Sequence, residues 1–195
     1  MSTAPTSAPP APPDTVYVSF SADVNPTTTE GLLKTCCELA NAGVKTIYIL
    51  LSTIGGQVAC GINIFNVLRA LPSKIIMHNV GIVNSIGNAI FLAGEERYAN
   101  PGTTFMFHGV SLPIQSQVEE KKLLECLDEV KSATDKIVHV IRERARFAKE
   151  DDITQLFVQA ATRDTKFAKQ HGIIDDVREA KVPVGSPILQ LGFTR

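Results

Sequence analysis

Two apolar runs constrain the fold of this chain more than any other feature. Residues 44–51 form a nearly continuous β-branched and apolar segment, and residues 74–80 form a second one. Such runs are typical of strands that are covered on both faces in a parallel sheet. Each is followed by a small-residue turn and an apolar helical pattern, which predicts right-handed β-α-β crossovers. The sequence therefore predicts an α/β fold.

The chain is long enough for one α/β domain, which we place at residues 15–180. Residues 1–14 are rich in Pro, Ser, Thr and Ala and are expected to form a disordered leader rather than a signal peptide. A helical pattern at 117–148 is too long for one face of a compact domain and predicts a protruding arm helix. Residues 181–195 are expected to form an irregular tail. Shorter elements are predicted as strands at 16–22, 97–99 and 104–107, a strand starting at 173, and helices at 27–41, 58–71, 85–93, 152–161 and 165–170.

Composition and charge exclude several classes of partner. The formal net charge is −1, and no basic run is interleaved with aromatic residues, so we expect no nucleic-acid binding. No apolar run approaches the roughly 20 residues that a membrane-spanning helix needs. The four cysteines contain no Cys-x-x-Cys pair, which favours free thiols in a reducing compartment and a cytoplasmic protein. We expect no metal site and no cofactor.

A serine at a strand-to-helix turn is the first candidate for chemistry. Ser85 follows the second apolar strand, and this geometry exposes a hydroxyl beside the first N–H groups of a helix. A hydroxyl needs a base, and His108, at the exit of a predicted short strand, is the best-placed candidate. The Gly55-Gly56 pair forms a second strand-to-helix turn, which would lie at the same edge of a parallel sheet. Taken singly, Ser85 is equally explained as a helix N-cap.

The pattern around these residues resembles the ClpP family, the proteolytic subunits of Clp proteases within the crotonase-like superfamily. The similarity runs over residues 16–177. It implies the ClpP/crotonase-like fold of repeated ββα units with a protruding long helix. The stretches that carry it are residues 52–56 (STIGG), 81–87 (GIVNSIG), 93–94 (AG), 100–102 (NPG), 106–108 (MFH) and 167–175 (FAKQHGIID).

The resemblance implies a role for each matching residue. Ser85 would be the nucleophile, His108 the general base, and the backbone N–H groups of Gly56 and Ile86 the oxyanion hole. The family's catalytic aspartate falls on Ala160 when residues are counted without a gap. Asp164 is the nearby candidate for a third member, and it is also well placed to be the N-cap of the helix at 165–170.

The implied function is that of a serine endopeptidase that hydrolyses peptides or unfolded proteins. The resemblance and the arm helix imply a homo-oligomer built as a ring, and the family adds an ATP-driven unfoldase as a candidate partner. Where the family has a segment that contacts the unfoldase, only the Pro-rich leader precedes the first strand. Two alternatives are kept: a catalytically weakened or inactive assembly subunit, and a crotonase-type enzyme acting on coenzyme A thioesters.

Overall fold

A computed structural model describes residues 12–113, 117–147 and 150–192. The strands are β1 (Thr15–Ser21), β2 (Thr46–Thr53), β3 (Lys74–Asn84), β4 (Glu96–Ala99), β5 (Thr104–Met106), β6 (Thr162–Asp164), β7 (Asp176–Val177) and β8 (Ile188–Gln190). The helices are α1 (Pro26–Asn41), α2 (Val58–Ala70), α3 (Gly87–Phe91), α4 (Glu120–Arg144), α5 (Glu150–Val158) and α6 (Thr165–Gln170).

The strands form one sheet in the order β6-β5-β3-β2-β1-β8, while β4 pairs with β3 and with β7. Every pairing is parallel except that of β5 with β6. The predicted parallel α/β fold is therefore confirmed. β2 and β3 lie at the centre of the sheet, and their C-terminal ends lead into the Gly55-Gly56 turn and into Ser85.

The main core joins the sheet to α1, α2 and α3 and also includes residues of α4, α5 and α6. Along β2, Ile47, Ile49 and Leu51 are fully buried in this core, because alternate side chains of a strand point to the same face. The intervening Tyr48 packs instead into a small aromatic cluster on the opposite face. The run that the sequence predicts to be covered on both faces is thus covered by two different sets of side chains.

The small cluster on the second face encloses a buried histidine. The Tyr48 hydroxyl lies 2.7 Å from His78 Nδ1, and His78 Nε2 lies 3.0 Å from the Arg178 carbonyl oxygen. Since a carbonyl only accepts, Nε2 carries the hydrogen and Nδ1 accepts from Tyr48. Burial is the main cause of a lowered His78 pKa, so the imidazole is held in its neutral form.

The predicted arm helix is present as α4, although it is shorter than 117–148, and residue 148 lies outside the described residues. Its C-terminal half packs on the domain through Ile137, Val138, Val140 and Ile141. Its N-terminal half leaves Leu123, Leu124 and Leu127 between 46% and 60% exposed. In the part of the chain that the structure describes, no helix has both the length and the apolar character needed to cross a bilayer.

The prediction of an irregular tail at 181–195 is wrong for residues 188–190. Residues Ile188–Gln190 form β8, which pairs with the edge strand β1, and the Tyr17 N–H donates to the Pro187 carbonyl at 3.0 Å. The prolines at 183 and 187 suggested an irregular segment, but both precede the strand and interrupt none of its hydrogen bonds. Residues 193–195, like 1–11 of the predicted leader, lie outside the described residues.

Other differences from the sequence prediction concern β3, β7 and β6. β3 continues past residue 80 to Asn84, because Gly81 has no side chain to collide with Ser52 Oγ, 2.7 Å from where a Cβ would lie. The strand predicted to start at 173 begins at Asp176. β6, which was not predicted, separates α5 from α6 and pairs with β5 for three residues. Such short strands show no periodicity that a sequence pattern can reveal.

Candidate active site

The turn that presents Ser85 has a strained backbone and is hydrogen-bonded to strand β5. Ser85 has φ +56°, a left-handed conformation that residues other than glycine rarely adopt. Its N–H donates to the Met106 carbonyl at 2.8 Å, so strand β5 fixes the turn. A serine in this conformation between a strand and a helix resembles the nucleophile elbow of α/β hydrolases. Such strain is concentrated at functional sites in proteins, and a helix N-cap does not require it.

The Gly55-Gly56 turn is pressed between Ser85 and the loop after β1. Gly55 has φ +89°, and a Cβ built on it would lie 2.7 Å from both Ser85 Cβ and the Asn84 carbonyl oxygen. A Cβ on Gly56 would lie 2.2 Å from the Val24 carbonyl oxygen. Hydrogen bonds from Val24 N–H to Gly55 O (2.7 Å) and from Gln57 N–H to Val24 O (2.8 Å) hold this contact. Only glycine fits at either position without displacing its neighbours.

Two backbone donors near Ser85 have no acceptor. Among the described residues, the N–H groups of Gly56 and Ile86 donate no hydrogen bond, although their neighbours Gln57 and Ser85 do. Gly56 lines the cleft that also contains Ser85. Unpaired N–H groups beside a nucleophile are the donors that an oxyanion needs. These are the two residues to which the sequence assigns that role, and the assignment remains a prediction.

His108 lies two residues beyond β5 and is tied to its own backbone. Its Nδ1 is 2.8 Å from the Gly109 carbonyl oxygen. Because that oxygen can only accept, Nδ1 must carry the hydrogen, which leaves Nε2 of the neutral ring as the basic nitrogen. The Phe107 N–H donates to the Ala161 carbonyl at 2.9 Å, so the segment that carries His108 is anchored to the chain after α5.

A single cleft of about 850 Å³ contains Ser85, His108 and Gly56. One wall is the loop after β1, with Asn25, and the other is one face of α4, including Ser132. Ser85 and His108 are both half-buried, and the structure records no hydrogen bond between their side chains in the described part of the chain. Catalytic hydrogen bonds are often long without substrate and shorten when it binds.

Asp164 bonds to the backbone of its own helix. Its carboxylate accepts the Phe167 N–H at 2.8 Å and caps α6, while its side chain is exposed. Ala160, on which the family aspartate falls when residues are counted without a gap, has φ +50° at the turn after α5. Its neighbour Ala161 is the residue whose carbonyl anchors Phe107. Ala160 offers a methyl group and no carboxylate, and among the described residues the partner of His108 Nδ1 is the Gly109 carbonyl.

Asn88 is a residue of the site that the sequence reasoning did not identify. It is 1% exposed, and its Nδ2 donates to the Ser85 carbonyl (3.0 Å) and to the Met106 carbonyl (2.8 Å). One amide group thus joins the nucleophile turn to the strand that leads to His108. The signal in the sequence is one polar residue within the apolar helix Gly87–Phe91, because a buried amide in such a helix requires partners.

Among the described residues, no group of three or more His, Cys, Asp or Glu side chains could hold a metal ion. All four cysteines are free thiols. Burial raises the pKa of the Cys36 thiol to about 12, which keeps it protonated and unreactive.

Comparison with protein families gives a match to the Clp protease model over residues 14–181. That match covers most of the chain. The chain belongs to the Clp protease family. Among curated relatives, an ATP-dependent Clp protease proteolytic subunit 2 from Borreliella burgdorferi is 27% identical over 146 residues, 70% of this chain and 69% of the relative. A subunit 2 from Pseudomonas aeruginosa is 38% identical over 79 residues, 40% of this chain and 39% of the relative.

Solved Clp protease structures share the fold. A ClpP1 mutant from Listeria monocytogenes superimposes with a TM-score of 0.75 at 21% identity, covering 85% of this chain and 92% of that one. The ClpP protease catalytic domain from Plasmodium falciparum gives a TM-score of 0.66 at 24% identity, with 86% of each chain covered. The predicted ClpP-like α/β fold with its long helix is confirmed.

Proposed function

We propose that this Clp protease family member is a serine peptidase with a Ser85–His108 dyad. The observation that carries the proposal is the bond from His108 Nδ1 to the Gly109 carbonyl in the cleft that contains Ser85. It leaves Nε2 available as a base, which is the tautomer that serine peptidases require. The strained Ser85 turn and the unpaired Gly56 N–H support the same reading.

The proposed reaction follows from these positions. His108 Nε2 takes the proton from Ser85 Oγ as that oxygen attacks the peptide carbonyl carbon. The N–H groups of Gly56 and Ile86 donate to the oxyanion that forms. The imidazolium then gives its proton to the leaving amine, and water hydrolyses the resulting ester in the reverse sequence of proton transfers. Ser85 and His108 return to their starting states.

A carbonyl that orients His108 should give a slower reaction than a carboxylate would. In serine proteases, replacing the aspartate with an amide lowers kcat by about four decades, because the histidine takes the wrong tautomer. Here the Gly109 carbonyl enforces the right tautomer, so the loss is smaller. It consists of the weaker stabilisation that a neutral oxygen gives to the imidazolium. We therefore propose a slow peptidase rather than an inactive one.

The substrates and partners are inferred from the family. We propose that peptides or unfolded proteins bind in the cleft and that the chain works as a ring-shaped homo-oligomer. Leu123, Leu124 and Leu127 on the free half of α4 support association, since they form an exposed apolar surface on one helix. The curated relatives are named ATP-dependent subunits, which makes an ATP-driven unfoldase the partner to test.

A second candidate function is an assembly subunit without catalytic activity. The observation that favours it is the Asp164 carboxylate, which accepts the Phe167 N–H, while among the described residues His108 bonds to a neutral carbonyl. In that case the fold and the oligomer would be kept, and the cleft would not turn over substrate.

Hydrolysis of a reduced and alkylated polypeptide separates the two candidates. New amino termini are counted by mass spectrometry for the wild type, Ser85→Ala and His108→Ala, with Ser186→Ala and His139→Ala as matched controls outside the cleft. The proposal predicts cleavage that both site variants lose and both controls keep. Cleavage that survives in Ser85→Ala, or no cleavage by a folded oligomer, would contradict it.

A further inference from the structure

The cleft that contains Ser85 and His108 is strongly acidic. Its charged lining, apart from the histidine, consists of four carboxylates and one ammonium group: Asp23, Glu125, Asp128, Glu129 and Lys136. With His108 neutral, this lining has a net charge of −3, whereas the whole chain has a net charge of −1. The negative charge of the protein is therefore concentrated around the candidate catalytic residues. A cleft lined by one sign of charge raises the local concentration of ligands with the opposite sign.

The carboxylates lie on both walls of the cleft. Asp23 lines the cleft, and it precedes Val24, whose N–H donates to the Gly55 carbonyl in the glycine turn. Its Oδ2 accepts a hydrogen bond from Asn25 Nδ2 at 3.0 Å. A substrate strand that passes over Ser85 therefore has an acidic group on the side of the glycine turn.

The opposite wall is one face of α4. Glu125, Asp128 and Glu129 are three and four residues apart, so they project from the same side of the helix. Glu125 has a partial partner, Lys122, at 3.4 Å. Among the described residues, no cation pairs with Asp128 or Glu129. These two side chains are exposed and free to pair with a ligand.

We propose that the cleft selects cationic peptide segments, with Lys or Arg side chains on residues that flank the bond to be cleaved. The inference rests on the proposed peptidase function and names its substrate class. Ammonium and guanidinium groups would pair with Asp128 and Glu129 on one wall and with Asp23 on the other. An acidic segment would meet like charges on both walls, which excludes it by repulsion.

A competition between matched peptides tests the selectivity. Three peptides share one sequence except at the flanking positions, which are Lys, Gln or Glu, and their relative kcat/KM values are read from one mixture by mass spectrometry. At low salt we expect the Lys peptide to be preferred over the Gln peptide by at least about fivefold, the scale of a few exposed ion pairs. At about 1 M salt, where the screening length is about 3 Å, the preference should approach unity.

The variants locate the selectivity on α4. The double variant Asp128→Asn with Glu129→Gln should reduce the Lys preference to less than about twofold. Asp135→Asn is the matched control, because it removes one charge from the same helix at a residue that does not line this cleft. Equal cleavage of the Lys and Gln peptides by the wild type, or a preference that the double variant keeps, overturns the inference while the peptidase function stands.

A binding arm keeps the inference testable if the chain proves inactive. Fluorescent forms of the three peptides are titrated into Ser85→Ala and followed by anisotropy. The Lys peptide should bind Ser85→Ala more tightly than the Gln peptide does, and adding Asp128→Asn with Glu129→Gln should abolish this difference. That result supports the charge selectivity even where hydrolysis is absent. Binding that ignores peptide charge refutes it independently of catalysis.

Discussion

Gly55→Ala should lower the reactivity of Ser85 although Ser85 and His108 are both retained. The added Cβ would lie 2.7 Å from Ser85 Cβ and from the Asn84 carbonyl oxygen, whereas ordinary contacts begin at 3.4 Å. The nucleophile turn must therefore move by about 0.7 Å. A displacement of that order at a catalytic group costs about a hundredfold in rate. We expect the second-order rate of Ser85 labelling by a fluorophosphonate to fall by this factor.

The matched control for Gly55→Ala is Gly102→Ala. Gly102 has φ +80°, similar to Gly55, but a Cβ there meets nothing within 4 Å. Both variants carry the left-handed backbone strain, about 1–2 kcal/mol of stability, which thermal unfolding measures. Only Gly55→Ala carries the collision with Ser85. A labelling rate for Gly55→Ala equal to that of Gly102→Ala would refute the claim that this glycine keeps the nucleophile in place.

Three other changes test separate parts of the structure. Ala160→Asp places a carboxylate next to Ala161, whose carbonyl holds the segment that carries His108, and we expect kcat/KM to rise about tenfold or more. Ala160→Asn is the uncharged control, and no gain over it would contradict the idea that a carboxylate is missing there. Asn88→Ala removes two buried hydrogen bonds, although the Ser85 and Met106 carbonyls keep their backbone N–H donors, and should cost about 1–3 kcal/mol in unfolding free energy. Asn88→Asp should cost more because a carboxylate would face those carbonyls; equal stability of the wild type and Asn88→Asp would contradict this. Burial lowers the pKa of His78 in the folded chain, so the unfolded chain binds more protons and the free energy of unfolding should fall as the pH drops below about 6.5. Urea unfolding across that pH range should show a smaller loss of unfolding free energy for His78→Gln than for the wild type. An equal loss in both would assign the effect to another group.

The sequence predicted the centre of the fold well because its signals are local. The runs that became β2 and β3 are long enough to show burial, and the turns after them contain the glycines and the serine that such turns need. Parallel strands end at one edge of a sheet, so Ser85 and Gly56 were expected to meet there. The structure brings both, together with His108, into one cleft.

The rest of the site depends on contacts that no local pattern encodes. The bond between His108 and the Gly109 carbonyl is set by a side-chain rotamer. The two hydrogen bonds that Asn88 Nδ2 donates need two carbonyls that are far apart in the chain. β8 was missed because its pairing with β1 is decided by an open sheet edge rather than by its own three residues.

The central claim is that His108 activates Ser85 with the Gly109 carbonyl, rather than a carboxylate, as the partner of its Nδ1. It is tested most directly by intact-mass analysis after fluorophosphonate labelling of the wild type, Ser85→Ala and His108→Ala. We predict a single adduct on the wild type, mapped to Ser85 by peptide sequencing and absent from both variants. A folded wild type that takes no adduct, or one that His108→Ala takes up at the same rate, would contradict the account.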